Sequence, residues 1–491
     1  MSSTVSYEAV IGLEVHAQLL TESKLFCPCP TRFGAAPNSQ VCPVCVGLPG
    51  TLPVLNQRAV ELAVRAGLAL GCELRSRSVF ARKNYFYPDL PKGYQISQYE
   101  LPLCEHGKLV VELDGSSREV RILRIHMEED AAKNLHGPGA SNRTLVDYNR
   151  GGTPLIEIVS EPDLRSSAEA EEYLKRMREI LMFAGVNDGN LEEGSFRCDA
   201  NVSIRPVGST TLGTRTEIKN INSFRFVRKA IDYEIARQEN VLAGGGRVVQ
   251  ETRGYDDVQG KTVSQRSKED AMDYRYFPDP DLPVLSLSDA EVARVRASLP
   301  ELPAERRARF VRELGLTGAD AGVLGAHPAL AALLDETAAA LAATGVERSK
   351  AGKRAANFIQ AEVLRDVAID GLDAKLPVTG PALAELLAAV EAGEISGKIA
   401  KELYPQMRAS GKGARQLIAE SGVVQVSDTS AIEAAVRAAL ASSPENVAAY
   451  RAGKQAVIGW FVGQVMKATQ GRANPKLVND VLRKLLAEGG G

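Results

Sequence analysis

Hydrophobic and polar residues along the chain follow two different periods. Up to about residue 290, apolar and polar residues alternate one by one in short segments that are separated by Gly and Pro. This pattern is typical of β-strands. In residues 195–205 this alternation would place apolar side chains on one face and a continuous polar row on the other. Such a row indicates the wall of a cleft, and its members are Asp199, Asn201, Ser203 and Arg205.

One helix is predicted within this strand-rich region. Ser166 or Ser167 can cap its first turn, and Gly185 can end it. Between these positions apolar residues recur at helical spacing, which is typical of a stripe packed against a core. The stripe consists of Tyr173, Leu174, Met177, Ile180, Leu181 and Ala184.

The later part of the chain has helical spacing throughout. After Pro283 the sequence becomes rich in Ala, Leu, Glu and Arg, and near Pro405 it changes to short helical stretches separated by Ser and Gly. A length of 491 residues fits about three domains. We therefore predict an α+β protein with a large domain of mixed or antiparallel sheet at residues 1–292, a helical domain at residues 293–404 and a small helical module at residues 405–491.

The overall composition is that of a folded globular protein, with 44% hydrophobic and 24% charged residues. The N-terminal segment has neither the basic region nor the apolar core of a signal peptide. No apolar run approaches the roughly 18 residues that a membrane span needs. We therefore expect a cytoplasmic protein without a membrane partner.

The net charge is only −2, but the charge is distributed unevenly. Residues 408–491 contain eleven Lys and Arg residues against six Asp and Glu, so this segment carries +5 and the rest of the chain −7. A basic C-terminal module suits the binding of phosphate groups. The alternative is an ordinary helical domain with a basic surface.

Four cysteines form the sharpest local motif. Cys27 and Cys29 are followed by Cys42 and Cys45, and each pair lies in a turn that contains Pro. Two tight pairs of thiolates can converge on one tetrahedral ion, which favours a structural zinc site over unligated or redox-active thiols. The other cysteines are expected to be buried thiols: Cys72, Cys104 and Cys198.

Acidic residues and histidines recur in three strand-like segments. Glu14 and His16 would lie on the same side of one strand, about 7 Å apart. Residues 126–130 contain one His and three acids, and Glu157 would share a strand face with Glu161. A single acid on a strand usually just faces water. Three such segments together favour a site for Mg²⁺, which binds carboxylates and bridges the phosphates of ATP.

Basic and aromatic residues are interleaved in residues 82–98, among them Lys83 and Tyr85. Such a segment can hold phosphates and stack a base or a ribose, as nucleotide and RNA pockets require. The alternative is the edge of a core with a solvated lysine. The chain contains no P-loop and no dinucleotide-binding glycine motif.

The sequence contains no recognisable motif for an activity that releases ammonia. The chain has no convincing Ser-Lys amidase segment and no Cys-His glutaminase pair. If its chemistry uses ammonia, a partner must supply it.

Six segments, taken in order, resemble the B subunits of the tRNA-dependent amidotransferase family. Together they span nearly all of the first predicted domain, and the later helical regions are similar to that family as well. The segments are residues 11–16, 82–89, 126–130, 152–163, 197–201 and 273–278.

The resemblance implies a catalytic domain, called the cradle, whose sheet is similar to that of glutamine synthetase and guanidino kinases. It implies that the chain transfers the γ-phosphoryl group of ATP to the side-chain carboxylate of Glu or Asp on a mischarged tRNA, after which ammonia displaces phosphate. Mg²⁺ would neutralise the phosphates during this transfer. The implied partners are a glutaminase A subunit, a small C subunit and the tRNA, whose outer body the C-terminal module would engage.

The resemblance also implies roles for particular residues. Four of them fall where the magnesium ligands of the family lie, namely Glu14, His16, Glu129 and Glu157, and Lys83 and Tyr85 fall on the pocket wall. Together with the polar row from Asp199 to Arg205, which the alternation indicates, Lys83 and Tyr85 are expected to contact ATP or substrate. The cysteine motif resembles the zinc-bearing branch of the family, in which the zinc is structural.

One of these expectations conflicts with simple alternation. A regular strand would place Glu128 on the face of His126 and Glu129 on the other face, so a Glu129 ligand requires the strand to end or bulge there. We expect Glu129 to be the ligand, with Glu128 as the alternative.

Two other functions are open at this point. A non-catalytic tRNA-binding adaptor would carry the acidic cleft as a vestige, which the complete set of acids and His16 disfavours. A free-standing ligase that uses dissolved ammonia and a small acid is disfavoured by the basic C-terminal segment.

Overall fold

A computed structural model of the chain describes residues 5–136, 144–267, 273–366, 376, 378–421, 429–469, 473 and 475–488. Contacts within the chain divide it into two compact units, Met1–Pro303 and Ala304–Gly491. The finer division into three domains, with limits at residues 292 and 404, stays a prediction.

The described part of the first unit contains sixteen strands and four helices. The strands are β1 (Tyr7–Gln18), β2 (Glu73–Leu74), β3 (Arg77–Ser78), β4 (Ala81–Asn84), β5 (Tyr94–Ser97), β6 (Cys104–Leu113), β7 (Ser116–Glu129), β8 (Lys133–His136), β9 (Thr144–Asp147), β10 (Pro154–Ser160), β11 (Phe196–Pro206), β12 (Thr216–Lys219), β13 (Glu251–Asp256), β14 (Lys261–Ser267), β15 (Phe277–Pro278) and β16 (Leu285–Ser286). The helices are α1 (Gln57–Ala69), α2 (Ser167–Phe183), α3 (Phe224–Ala243) and α4 (Asp289–Ala297).

Nine of these strands form one large sheet, in the order β14-β13-β12-β11-β1-β10-β7-β6-β2. Neighbouring strands are antiparallel, except that β12 and β13 are parallel. This parallel pair needs a crossover, which α3 supplies. The mixed sheet predicted from the alternating segments is therefore confirmed, and β1 lies at its centre.

Helices cover one face of the large sheet. α2 contacts β6, and α3 contacts β11. On β1 the odd-numbered residues, such as Leu13 and Val15, are buried in the core formed with these helices. The opposite face of the sheet is therefore free to carry polar side chains.

The predicted helix within the strand-rich region is confirmed as α2. The Ser166 side chain caps it by accepting a hydrogen bond from the Glu169 backbone N–H. Gly185 follows its end with a positive φ of 66°, a conformation that glycine adopts without a steric penalty. Five of the six residues of the predicted apolar stripe are buried, including Tyr173 and Met177, and Ile180 is partly buried against the same core.

Three smaller sheets complete the first unit. They are β15-β4-β5, β16-β3 and β8-β9. The first of them reaches the large sheet through contacts between β5 and β7. It therefore brings the basic and aromatic segment around Lys83 toward the polar face.

The described part of the second unit is helical. Its helices are α5 (Pro303–Leu314), α6 (Gly318–Leu324), α7 (Pro328–Ala342), α8 (Arg348–Phe358), α9 (Gly380–Glu391), α10 (Gly397–Ser410), α11 (Ala414–Ser421), α12 (Thr429–Ala441), α13 (Pro444–Arg451), α14 (Ile458–Ala468) and α15 (Pro475–Glu488). A π-helical turn spans Ile359–Val363, and a 3-10 turn spans Gln455–Val457.

The helical character expected of the C-terminal part is confirmed. α12, α14 and α15 share a hydrophobic core of their own, which includes Phe461, Val478 and Leu482. Pro405 lies inside α10, which ends at Ser410 and is followed by Gly411 with a left-handed backbone. A domain limit at residue 404 would therefore cut a continuous helix. Among the described residues, no helix is both long enough and apolar enough to cross a membrane.

Candidate active site

Charged side chains gather on the face of the large sheet that the helices leave uncovered. On β1, Glu14 and His16 alternate with the core residues and therefore point to this face. The strand register places His16 opposite Glu157 of β10 and Arg197 of β11. It also places Glu157 opposite His126 of β7. Four neighbouring strands thus contribute to one row.

The first cluster consists of His16, His126, Glu128 and Glu157. The Glu157 carboxylate lies 3.4 Å from Nε2 of His16 and 3.3 Å from Nε2 of His126. The Glu128 carboxylate lies 3.6 Å from Nε2 of His126 and 3.9 Å from Nε2 of His16. Ligand atoms of His16, Glu128 and Glu157 all lie within 4.8 Å of one another, which is close enough for one ion to contact all three.

The electrostatics of this cluster are dominated by its two imidazoles and two carboxylates. Burial lowers the pKa of His126, but Glu157 and Glu128 more than offset this effect and raise it to about 9. The pKa of His16 is raised for the same reason. Burial raises the pKa of Glu157, but the two imidazoles hold that pKa well below its ordinary value. A bound cation would compete with the imidazole protons for these carboxylates.

A second cluster lies beside the first and consists of Glu14, Asp199 and Glu217, whose ligand atoms also lie within 4.8 Å of one another. Burial, followed by the charge of Glu157, raises the pKa of Glu14. Lys219 balances part of the negative charge, because its Nζ lies 2.6 Å from Asp199 and 3.1 Å from Glu217. The predicted ligand Glu14 therefore belongs to this second group.

Glu129 does not join either cluster, contrary to our expectation. The register between β7 and β10 is unbroken from Ile125 to Glu129, so alternation continues to the end of the strand and Glu129 points to the other face. There its carboxylate pairs with Lys92 and accepts a hydrogen bond from the Ile96 N–H at 3.0 Å. The position that we expected for Glu129 is occupied by the alternative, Glu128.

Glu161 is also outside the clusters, although alternation from Glu157 would bring it there. β10 ends at Ser160, and the register with β7 shifts between Val159 and Ser160. Glu161 follows this irregularity, and its N–H donates to the Arg121 carbonyl. The shared face of Glu157 and Glu161 is thus not formed.

Lys83 of β4, which belongs to the three-stranded sheet β15-β4-β5, faces the first cluster. Its Nζ lies 4.9 Å from the centre of the Tyr274 ring and 5.8 Å from that of Tyr85. Burial lowers the pKa of Lys83, but nearby acids, of which Glu128 has the largest effect, raise it above its ordinary value. Burial raises the pKa of Tyr85. The two residues expected on the pocket wall therefore lie beside the acidic clusters.

The polar row of β11 divides into two parts. Asp199 accepts a hydrogen bond from Lys219, and the Asn201 amide donates to Glu14 at 2.9 Å, so both belong to the second cluster. Further along the strand, the Ser203 hydroxyl donates to the Val10 carbonyl, and Arg205 donates to Glu8. The structure does not bring Ser203 and Arg205 to the clusters.

Asp130, directly after β7, is hydrogen-bonded to side chains of two other strands of the large sheet, β1 and β11. It is buried and accepts hydrogen bonds from Gln18 at 2.8 Å and from Arg197 at 3.0 Å. Arg150 lies 3.7 Å away. This network holds the strand end that carries Glu128.

Several site residues were not assigned to the site individually. His126 lies on the face that alternation along β7 already gave to Glu128, whereas Glu217 and Lys219 lie on a four-residue strand too short to show a period. The remaining residue, Tyr274, lies in one of the segments that carried the family resemblance, but its contact with Lys83 depends on tertiary structure.

The four cysteines of the predicted zinc motif converge. Their Sγ atoms lie within 4.8 Å of one another. Hydrogen bonding with Cys27 lowers the pKa of Cys45 to about 4, and the charge of Lys24 acts in the same direction. The fully buried Lys24 donates to the Tyr148 carbonyl at 3.1 Å and approaches the Cys45 sulfur. Four sulfurs beside a buried cation are a donor set that fits a thiophilic divalent ion.

Comparison with known proteins gives consistent results for both parts of the chain. Residues 9–293 match the GatB/GatE catalytic domain, and residues 341–486 match the GatB domain. A relative from Syntrophotalea carbinolica is 56% identical over 484 residues, which cover 98% of this chain and 99% of the relative. A relative from Geobacter sp. strain M21 is 54% identical over 98% of this chain and 100% of its own length. A third relative, from Myxococcus xanthus, is 54% identical over 98% of this chain and 99% of its own length. All three are named as B subunits of aspartyl/glutamyl-tRNA(Asn/Gln) amidotransferase.

Proposed function

The chain belongs to the family of aspartyl/glutamyl-tRNA(Asn/Gln) amidotransferase B subunits, and we propose that its cleft uses ATP to activate the side-chain carboxylate of Glu or Asp on a mischarged tRNA. A carboxylate has no leaving group that ammonia can expel. In the proposed reaction a carboxylate oxygen attacks the γ-phosphorus and ADP leaves. Ammonia then attacks the acyl phosphate, forms the amide and releases phosphate, which takes up the proton that ammonia loses.

The observation that carries this proposal is that His16, Glu128 and Glu157 converge beside Lys83. Phosphoryl transfer requires positive charge that is fixed in place around the phosphate oxygens, and little covalent chemistry from the protein. Lys83 supplies one such charge from the small sheet, where Glu128 and Glu157 keep it protonated. The two carboxylates supply ligands for a cation on the opposite side.

The residues of the first cluster fit Mg²⁺, which binds oxygen ligands and tolerates an occasional imidazole. We propose that His16, Glu128 and Glu157 hold one ion, and that Glu14, Asp199 and Glu217 form a second position beside it. Burial raises the pKa of Glu14, and the nearby charges of Glu157, Glu217 and Asp199 add to this effect, so a cation bound here would relieve their mutual repulsion. Magnesium bound here would neutralise the phosphates of ATP.

Other residues of the cleft are assigned supporting roles. Tyr85 and Tyr274 flank the Lys83 ammonium and limit its motion toward water. Asn201 orients Glu14 through its amide hydrogen bond. Lys219 holds the carboxylates of Asp199 and Glu217 in place. In this assignment the predicted substrate contacts Ser203 and Arg205 have no role in the reaction.

We propose that zinc occupies the four-cysteine cluster and acts structurally. All four sulfurs are used as ligands in such a site, which leaves no open position for a substrate. When bound, the ion would join the turn of Cys27 and Cys29 to the turn of Cys42 and Cys45. The cluster is therefore expected to affect folding and not the reaction itself.

The proposal includes the partners and the setting of the reaction. An A subunit would release ammonia from glutamine, a small C subunit would complete the complex, and the basic C-terminal helices would bind tRNA in the cytoplasm. We further propose that the nine-stranded sheet is a cradle related to the sheets of glutamine synthetase and guanidino kinases. The absence of a glutaminase motif from the chain supports the requirement for an A subunit.

The proposed function can be tested on the complex reconstituted with its partner subunits. We expect ATP hydrolysis to be stimulated by mischarged tRNA and to be accompanied by formation of Gln-tRNA or Asn-tRNA. Assays with both Asp-tRNA and Glu-tRNA identify the substrate. The isolated chain should hydrolyse no glutamine.

Two results would contradict the proposal. Binding of tRNA without any tRNA-dependent ATP hydrolysis would identify an adaptor in place of an enzyme. Appreciable glutamine hydrolysis by the isolated chain would show that it makes its own ammonia.

A further inference from the structure

An aromatic pocket of about 460 Å³ lies next to Lys83. Ala81 lines it, and Lys83, two residues further along β4, points to the same side of the strand. Another lining residue, Tyr99, is two residues beyond Ser97, whose hydroxyl donates to Glu128 at 3.1 Å. The pocket is therefore lined by residues that lie next to Lys83 and Ser97, the two residues that face or contact the first cluster.

We infer that this pocket binds an adenine ring of a substrate, an inference that rests on the proposed function. Both substrates of that function contain adenine, since ATP carries it and every tRNA ends in adenosine. The observations that support the inference are the aromatic walls of the pocket and the position of Arg124 between the pocket and the first cluster.

The walls provide a flat stacking surface. The rings of Tyr99 and Tyr276 are stacked with centres 4.3 Å apart and planes 7° apart. Tyr274 meets Tyr276 edge to face at 6.1 Å. Tyr99 is 46% exposed, which leaves part of its surface open to a ligand. Stacked tyrosines of this kind bind the planar face of a base.

Arg124 lies between this surface and the first cluster. It precedes His126 by two residues on β7, so its side chain emerges on the same face about 7 Å along the strand. Its guanidinium lies 5.8 Å from the centre of the Tyr99 ring. Within the described residues, its buried Nε has no hydrogen-bond partner.

A buried guanidinium N–H without a partner is costly unless a ligand accepts from it. Guanidinium groups bind phosphate oxygens, and here the guanidinium would meet a phosphate that lies between the metal ligands and the base. The order of cation ligands, arginine and aromatic pocket thus matches the order of phosphates and base in a nucleotide.

Substitution of the stacking surface tests this inference. In the full complex, Tyr99→Leu and Tyr276→Leu should each weaken the binding of ATP with Mg²⁺ by about tenfold or more. Their affinity for inorganic tripolyphosphate with Mg²⁺, which has no base, should not change. Arg124→Gln should weaken the binding of both ligands. Calorimetric titration measures all of these affinities.

Two controls separate loss of stacking from loss of structure. Tyr99→Phe keeps the ring and should retain the wild-type affinity for ATP. Phe33→Leu removes an aromatic ring that is 69% exposed and lies outside the pocket, and should leave both affinities unchanged. Thermal midpoints of all variants report whether they are folded.

A further titration, with tRNA, distinguishes the two sources of adenine. The wild-type complex is titrated with tRNA that ends in CCA and with tRNA that lacks the terminal adenosine. If the leucine variants keep wild-type ATP affinity but lose the preference for the complete end, the pocket binds the adenine of tRNA. If they change neither ATP affinity nor this preference, the inference is overturned. Failure of the proposed function would be recognised separately, since the wild-type complex would then show no tRNA-dependent ATP hydrolysis.

Discussion

The ammonium nitrogen of Lys24 lies 3.6 Å from the sulfur of Cys45, although the Lys24 side chain is completely buried. A buried ammonium requires a neighbouring negative charge, because its desolvation is otherwise very costly. Four thiolates around a divalent zinc ion carry a net charge of about −2, so a lysine at this distance offsets part of an excess charge. Lys24 and the bound ion would thus stabilise each other.

We therefore expect Lys24→Met to weaken zinc binding by about tenfold or more, which is the usual effect of removing a group that supports metal ligands. Competition with a chromogenic chelator measures the zinc affinity of the purified protein. Lys108→Met is a matched control, because Lys108 is 62% exposed and pairs with Glu119 at the surface. Equal zinc affinities of the Lys24 and Lys108 variants would show that Lys24 does not support the site.

The cysteine cluster should contain about one zinc ion per chain. Because the ion would be structural, Cys27→Ser should lower the thermal midpoint of the protein more than it lowers turnover of the folded complex. Elemental analysis gives the zinc content, and the thermal midpoint is compared with and without a chelator. Protein purified without chelators that contains no zinc would contradict this prediction.

Glu157→Gln should abolish phosphoryl transfer while glutamine hydrolysis in the partner subunit continues. The change keeps the size of the side chain but removes the carboxylate that both His16 and His126 contact. A loss of a few kcal/mol of transition-state stabilisation, about a hundredfold or more in rate, is expected. Both activities are measured on one preparation, and tRNA binding should be unchanged. Near-normal amidation by the variant would remove Glu157 from the metal site.

Glu128→Gln and Glu129→Gln should have different effects, although the residues are adjacent. The first should weaken the binding of Mn²⁺, a paramagnetic substitute for Mg²⁺ whose binding is measured by electron paramagnetic resonance. The second should keep Mn²⁺ binding but destabilise the protein by about 3 kcal/mol, because it leaves the largely buried Lys92 without its counter-charge. If only the Glu129 variant lost Mn²⁺ binding, the metal ligand would be Glu129, as the family resemblance implied, and not Glu128.

Removal of residues 429–491 should weaken tRNA binding and reduce its dependence on salt. This segment comprises α12 to α15, of which three helices share a core, and contains eight Lys and Arg against four Asp and Glu. Each lost phosphate contact should reduce the slope of log affinity against log salt by about 0.9. A cut at Pro405 is avoided because it would divide α10. The dissociation constant for tRNA is measured at two salt concentrations. If truncation leaves both values unchanged, the segment has no role in tRNA binding.

Alternation was sufficient to predict β1, β11 and the direction of their side chains, since each of these strands is long and has one buried face. It also placed Glu128 on the face of His126, as the structure does, whereas the family resemblance favoured Glu129 as the ligand. The end of alternation at Ser160 was not visible in the sequence, because the register shift depends on the partner strand. The meeting of Glu14 with Asp199 depends on strand order, which a single sequence does not reveal.

The central position of β1 has a consequence for synthesis on the ribosome. This strand is synthesised well before its two hydrogen-bonding neighbours, β10 and β11, which end at Ser160 and Pro206. At typical elongation speeds, roughly 10–40 s pass before both partner strands have been synthesised. A strand with one apolar face and unpaired edges is prone to aggregation during such a delay. The nascent chain is therefore expected to need a chaperone until the sheet closes around its first strand.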